Sequence, residues 1–144
     1  MPICCDTSFL FSLYGNDAHT RNALAEVKRL ADPIHLSVLN QYELENALRL
    51  SAFRKLFPST SVLAYLADFE ADVASGKLIV AKCNLASVVA EARRLSATHT
   101  LKHGARAFDI LHVGAAIHMG AHLFLSFDAN QRRLARIEGL NVNS

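Results

Sequence analysis

The chain has little of what marks several large protein classes. It contains no tryptophan, three prolines, six glycines and three cysteines in 144 residues. An odd count of cysteines, two of them adjacent, does not make a disulfide framework. Cys4 and Cys5 on one strand point to opposite faces. A reducing cytoplasm is therefore the expected compartment. No basic, apolar, small-residue leader precedes Asp6, so no signal peptide is expected. The longest apolar region, Ile110 to Phe127, holds three histidines and two glycines. It reads as a helix followed by a strand, not as a membrane span. Charge is also sparse, at 19% of residues, and apolar residues reach 51% with mean hydropathy +0.19. That balance excludes a disordered chain. The length suits one domain over residues 1–144 with a real core, and the apolar surplus is enough to cover a dimer or partner surface.

What is present is an alternation of short apolar runs and helical patterns. Residues 2–5 read as a buried strand and 9–13 as a helical segment behind Thr7 and Ser8. Asp17 opens a helix with Ala23, Leu24, Val27 and Leu30 at helical spacing. Residues 34–39 read as a second strand. Asn40 opens a helix carrying Leu44, Ala47 and Leu48, and after Pro58 a further helix runs to Gly76. A short extended segment at 78–81 and a helix at 86–95 follow. The polar stretch up to Gly104 reads as loop or helix end. Then come a strongly apolar helix at 106–119, a strand at 122–127, a helix at 130–137 and a last strand at 140–142. Strands that are continuously apolar and alternate with helices predict an α/β fold with a central parallel sheet covered on both faces. In such sheets ligands bind beyond the carboxyl ends of the strands, where the strand order reverses.

Four acids sit at such places. Asp6 closes the run Pro2 to Cys5, and Asp128 closes Leu123 to Phe127. Glu43 follows the second strand, and Asp109 opens the apolar helix. Two carboxylates about 4 Å apart repel by roughly 4 kcal/mol at an effective dielectric near 20. A cluster of four therefore calls for protonation or for divalent metal. Oxygen-only donors favour Mg²⁺ or Mn²⁺ over Zn²⁺. Each acid also has a plainer reading. Asp6 and Asp128 are both placed to cap the helices that follow them. Asn40 and Glu43 have the spacing of a capping box. Glu45 rivals Glu43, since both lie at the flanks of the apolar stripe. With the four acids set aside, nine remain against 15 basic residues. An acidic centre in a basic surround suits a polyanionic substrate. Arg49, Arg54, Lys55, Arg93, Arg94, Lys102, Arg106, Arg132, Arg133 and Arg136 are the candidates for its rim.

Four segments carry a resemblance. They are CDTSFLF from Cys5, LNQYELENALRL from Leu39, RAFDILHVGAA from Arg106 and FLSFDANQRRLA from Phe124. In their order and spacing they resemble a PIN domain, most closely the VapC-type toxins of bacterial toxin–antitoxin systems. The resemblance spans nearly the whole chain. It implies a three-layer α/β/α sandwich with a mostly parallel sheet and a Mg²⁺- or Mn²⁺-dependent ribonuclease. It carries the family's acids onto Asp6, Glu43, Asp109 and Asp128 as metal-holding and catalytic residues. Thr7 or Ser8 matches the small hydroxyl residue after the first acid, and Ser126 a further hydroxyl position, as supporting residues. Histidine at the place of His112 is seen in the family without an assigned role. RNA as substrate, a cognate antitoxin, a homodimer and no membrane association follow from the same resemblance.

Two other readings stay open at this stage. One is a PIN-like module that binds RNA or a partner without cutting. The other is a different Mg²⁺ enzyme, such as a phosphatase with an aspartyl nucleophile, for which the sequence after Asp6 lacks the second Asp. His99 and His103, four apart, are too few ligands for a zinc site.

Overall fold

A computed structural model describes residues 1–144. Five strands form one sheet: β1 (Ile3–Cys5), β2 (Ile34–Leu36), β3 (Leu78–Val80), β4 (Leu123–Leu125) and β5 (Asn141–Val142). Their spatial order is β3-β2-β1-β4-β5, and every neighbouring pair is parallel. Helices α1 (Thr7–Tyr14), α2 (Thr20–Arg29), α3 (Val38–Phe53) and α4 (Ser59–Ser75) belong to the first half. The second half has α5 (Leu85–Leu95), a π-helical turn (Ser96–Thr100), α6 (Leu101–His103), α7 (Ala107–His118) and α8 (Ala129–Ile137).

The three-layer α/β/α arrangement expected from the sequence is the one observed. Strand residues sort by alternation into two cores. Ile3, Cys5, Ile34, Leu36 and Leu125 join Phe9, Leu10, Leu44, Leu48 and Phe69 from α1, α3 and α4. Cys4 and Phe124 join Ala92, Leu95, Ile110, Val113 and Leu134 from α5, α7 and α8. A strand covered on both faces has no polar side to show, which is why β1 is a continuous apolar run. Cys4 and Cys5 do face opposite cores as free thiols, and burial pushes the Cys4 thiol up to about 12.

Several element boundaries differ from expectation, each for a local reason. The second strand stops at Leu36, because Ser37 caps α3. Its hydroxyl accepts from the Asn40 N–H, and Asn40 Oδ1 accepts from the Ser37 N–H, which closes a capping box one turn earlier than Asn40–Glu43. The second helix starts at Thr20, not Asp17, since the Asp17 carboxylate is spent on a turn with the His19 N–H and the Ser12 hydroxyl. The stretch before Gly104 is helical, its π-turn secured by His99 Nε2 against Glu138 Oε2 at 2.7 Å.

The chain visits β1, β2 and β3 on one side, then crosses to β4 and β5 on the other. The strand order therefore reverses between β1 and β4, where a crevice opens at the carboxyl edge. On the far core, α5 and α7 approach closely at Gly114. A Cβ there would lie 3.3 Å from Ala92 N and 3.4 Å from Val88 O. Both are backbone atoms and cannot step aside. Replacing Gly114 with Val should cost about 1–3 kcal/mol of unfolding free energy through overpacking. Urea denaturation measures this, and an unchanged midpoint would show that the two helices tolerate a wider spacing.

Candidate active site

Asp6 follows β1 and lies directly beside the end of β4, its N–H donating to Leu125 O at 3.1 Å. It is wholly buried. Its two oxygens have separate duties. Oδ1 caps α1 by accepting from the Phe9 N–H at 2.8 Å. Oδ2 accepts from three side chains: Ser8 Oγ at 2.7 Å, Ser126 Oγ at 2.7 Å and Gln131 Nε2 at 2.9 Å. Asp128 repeats the pattern at the neighbouring strand. Its Oδ1 caps α8 through the Gln131 N–H at 3.0 Å, and its Oδ2 faces the Arg106 guanidinium at 3.9 Å. Capping thus accounts for one oxygen of each aspartate, and the other meets side-chain donors: three at Asp6, and the Arg106 guanidinium at Asp128.

Asp109, in the first turn of α7, joins these two. Gln131 Nε2 reaches its Oδ1 at 3.3 Å, and Arg106 Nε reaches its Oδ2 at 3.1 Å. Glu43 comes from α3 on the opposite wall and is tied in through His112. Asn40 donates to His112 Nδ1 at 3.2 Å, its orientation set because its Oδ1 already serves Ser37. Nδ1 therefore accepts, and Nε2 carries the proton that Glu43 Oε1 receives at 2.7 Å. Thr7 Oγ1 lies 3.1 Å from the same nitrogen. This pair is a hydrogen bond that aims Glu43, which gives His112 a positioning part.

A cleft of about 420 Å³ has Thr7, Ser8, Glu43, Asp109, His112 and Asp128 in its lining, with Asp6 beneath its floor. The structure thus brings all four acids to one place. Of the two glutamates that helical phase left open, Glu43 lines the cleft and Glu45 does not. Of the ten basic candidates only Arg106 lines the cleft. Arg94 is taken by Glu91 and Glu138, Arg132 by the Ser126 carbonyl and Arg133 by Asn130. The residues that sequence reading missed are Asn40, Gln131 and Asn143, the last holding the Ser126 N–H at 2.8 Å. Gln131, three residues after Asp128, had a positional signal, since it shares the first turn of α8 with the cap.

A sequence model of the PIN domain matches residues 3–137. The chain belongs to the PIN domain family. Solved structures agree in fold. VapBC2 from Rickettsia felis, bound to a DNA fragment from its promoter, superposes with a TM-score of 0.65 at 17% identity, covering 99% of this chain and 98% of the other. VapBC-1 from nontypeable Haemophilus influenzae gives 0.65 at 18% identity, with 100% and 98% covered. FitAcB from Neisseria gonorrhoeae gives 0.63 at 16%, with 99% and 96% covered. No curated protein sequence matches the chain.

In this PIN domain burial and hydrogen bonding shift the acids in different directions. Burial holds the Asp6 carboxyl above its ordinary 3.8, although bonds from Ser126, Phe9 and Ser8 pull it back. Asp109 is also raised, by burial and by Asp128, against the pull of Arg106. Burial pushes Glu43 up too, but the His112 hydrogen bond and nearby positive charge outweigh it and hold Glu43 below its ordinary 4.5. No three carboxylate, imidazole or thiol groups converge tightly enough to ligate one ion in this arrangement. The donor set nonetheless has the chemistry a hard cation prefers, being all oxygen. The points between the carboxylates are held by the Gln131 amide and the Arg106 guanidinium. Gln131 Oε1, buried beside them, has no partner. The residues fit a divalent ion on the condition that these two donors yield.

A carboxyl that binds its proton more tightly when folded contributes stability that falls as pH rises from its unfolded value through its raised folded value. Asp6 and Asp109 have that sign. Glu43 has the opposite one, its contribution being lost as pH falls through its lowered value. In metal-free buffer, Asp6→Asn should therefore flatten the loss of stability on raising the pH above the ordinary Asp range. Urea melts with EDTA across that range test this, and an unchanged slope would clear Asp6 as its source.

Proposed function

We propose that this PIN domain is a metal-dependent endoribonuclease of the VapC type, the toxin of a bacterial toxin–antitoxin pair. The observation that supports it most is the meeting of Asp6, Glu43, Asp109 and Asp128, from four distant segments, around one cleft at the reversal of strand order. These four would hold Mg²⁺ or Mn²⁺. When bound, the ion supplies positive charge for a phosphodiester and an acidified water. The chain's own residues prepare the place. Ser8 and Ser126 fix Asp6, and Thr7 and His112 fix Glu43. Arg106, with its side chain 83% exposed at the mouth, would meet a phosphate oxygen by turning outward from Asp109.

The partner reading rests on the outer surface. Phe53 at the end of α3, Leu56 in the turn after it and Leu63 on α4 are largely exposed apolar side chains. Such a patch suits a protein partner, here an antitoxin segment, and self-association is the other use of the same face. No helix is long and apolar enough to cross a membrane.

One observation favours a second reading, a PIN-like module that binds RNA or a partner without cutting. Gln131 and Arg106 between them reach Asp6, Asp109 and Asp128, and so offer those three acids neutral-amide and guanidinium partners. Purified protein with single-stranded RNA decides between the two. The nuclease reading expects cleavage that needs Mg²⁺ or Mn²⁺, stops with EDTA and falls to background in Asp6→Asn while circular dichroism stays native. Ser126→Ala, which removes a hydroxyl that donates to Asp6 and accepts from the Asp128 N–H, should lower activity roughly 10–100-fold. RNA bound but intact across both metal titrations would establish the binding module instead.

A further inference from the structure

Three aromatic rings rise in a column from the core to the rim of the acidic cleft. Phe9, wholly buried, stacks on Phe127 with ring centroids 5.4 Å apart and planes 20° from parallel. Phe127 stacks in turn on His19, at 4.6 Å and 8°. His19 and Phe127 both line the cleft that holds Glu43, Asp109 and Asp128. His19 is exposed and no ring covers its outer face.

The position of His19 is built, not incidental. Its backbone N–H donates to Asp17 Oδ1 at 2.8 Å. The other Asp17 oxygen accepts from Ser12 Oγ, a buried side chain of α1, at 2.8 Å. The Asp17 N–H is held by Thr20 Oγ1 at 2.9 Å. The loop before α2 is thus pinned to the helix that Asp6 caps. An exposed ring held flat on another ring, beside a place where a phosphate would sit, is what a nucleobase needs for stacking. Base stacking on aromatic side chains tolerates any sequence, because every base has a π-face.

We propose that His19 is a stacking platform for one nucleobase of a single-stranded RNA whose neighbouring phosphate lies at the four acids. The assignment rests on the ribonuclease reading and adds a subsite to it. The base would extend the column by one more layer, so affinity at this subsite comes from ring area and not from base-edge hydrogen bonds.

The test uses a short RNA carrying 2-aminopurine and the wild-type protein beside His19→Ala, His19→Phe and His19→Leu. Binding in EDTA should quench the 2-aminopurine with wild type and His19→Phe, and leave it bright with His19→Ala and His19→Leu. With Mn²⁺ present, His19→Ala should raise KM roughly tenfold with kcat little changed, and His19→Phe should restore it. Leucine keeps an apolar cover on Phe127 without a π-face, so its restoring both readouts would reduce His19 to packing. Wild-type KM and quenching in His19→Ala would overturn the platform, as they would if the ring served only a protein partner. If wild type cuts RNA and the variants match it, the subsite alone fails. If wild type neither binds nor cuts RNA, the ribonuclease reading falls and the subsite with it.

Discussion

The constraint on which this structure turns is a carboxylate buried without a formal counter-charge. Asp6 sits at the end of β1 with no solvent exposure. Burying an ionised group unpaired is prohibitively costly, so its lone pairs must be met by donors. Four are supplied: a backbone N–H, two hydroxyls and an amide. Each comes from an element that has to be where it is. The N–H and Ser8 require α1 to start at once after β1. Ser126 requires β4 to lie beside β1 in register, as the pairing of Cys5 with Leu125 achieves. Gln131 requires α8 to begin under the cap of Asp128. The site and the sheet order are therefore one arrangement, seen from two sides.

The same economy explains why capping and function are not rival accounts of the aspartates. A carboxylate has two oxygens. In Asp6 and Asp128 one secures a helix N-terminus and the other takes side-chain donors, buried ones at Asp6 and the Arg106 guanidinium at the mouth for Asp128. The cap fixes the side chain's rotamer and the helix end offers its partial positive charge. Each second oxygen is thus held in place by its twin. Glu43 has no cap to hold it, being in the second turn of α3, and it receives the His112 bond instead.

This division also decides what could be read from the sequence. Asp6, Asp109 and Asp128 were legible because each interrupts or ends an apolar stretch, and an acid there demands a reason. The parallel sheet was legible because β1 and β4 have no polar alternation. The choice between Glu43 and Glu45 was not, since two flanks of one helix become different only when a second element, here α7 with His112, packs against one of them. Gln131 and Asn143 were hidden for a related reason. Their partners lie 125 and 17 residues away, and an amide looks like any surface amide until the contact exists. The start of α3 was misplaced because Asn40 serves as the far half of a capping box, and its spacing to Glu43 imitates the near half.

Arg106 and Gln131 differ in how firmly they hold the acids. Arg106 is mostly solvent-exposed, and its pairs with Asp109 and Asp128 are the kind that contribute little. Moving it aside to admit a cation or a phosphate is cheap. Gln131 is buried, and its two amide contacts are made inside low dielectric, where they are stronger. Its partnerless Oε1 offsets part of that hold, since a buried acceptor without a donor is a standing penalty in this state. Any arrangement in which a cation faces that oxygen would remove the penalty and the carboxylate repulsion together. The resistance to opening the site thus resides in a single neutral amide and not in the charged residue that is more conspicuous at its mouth.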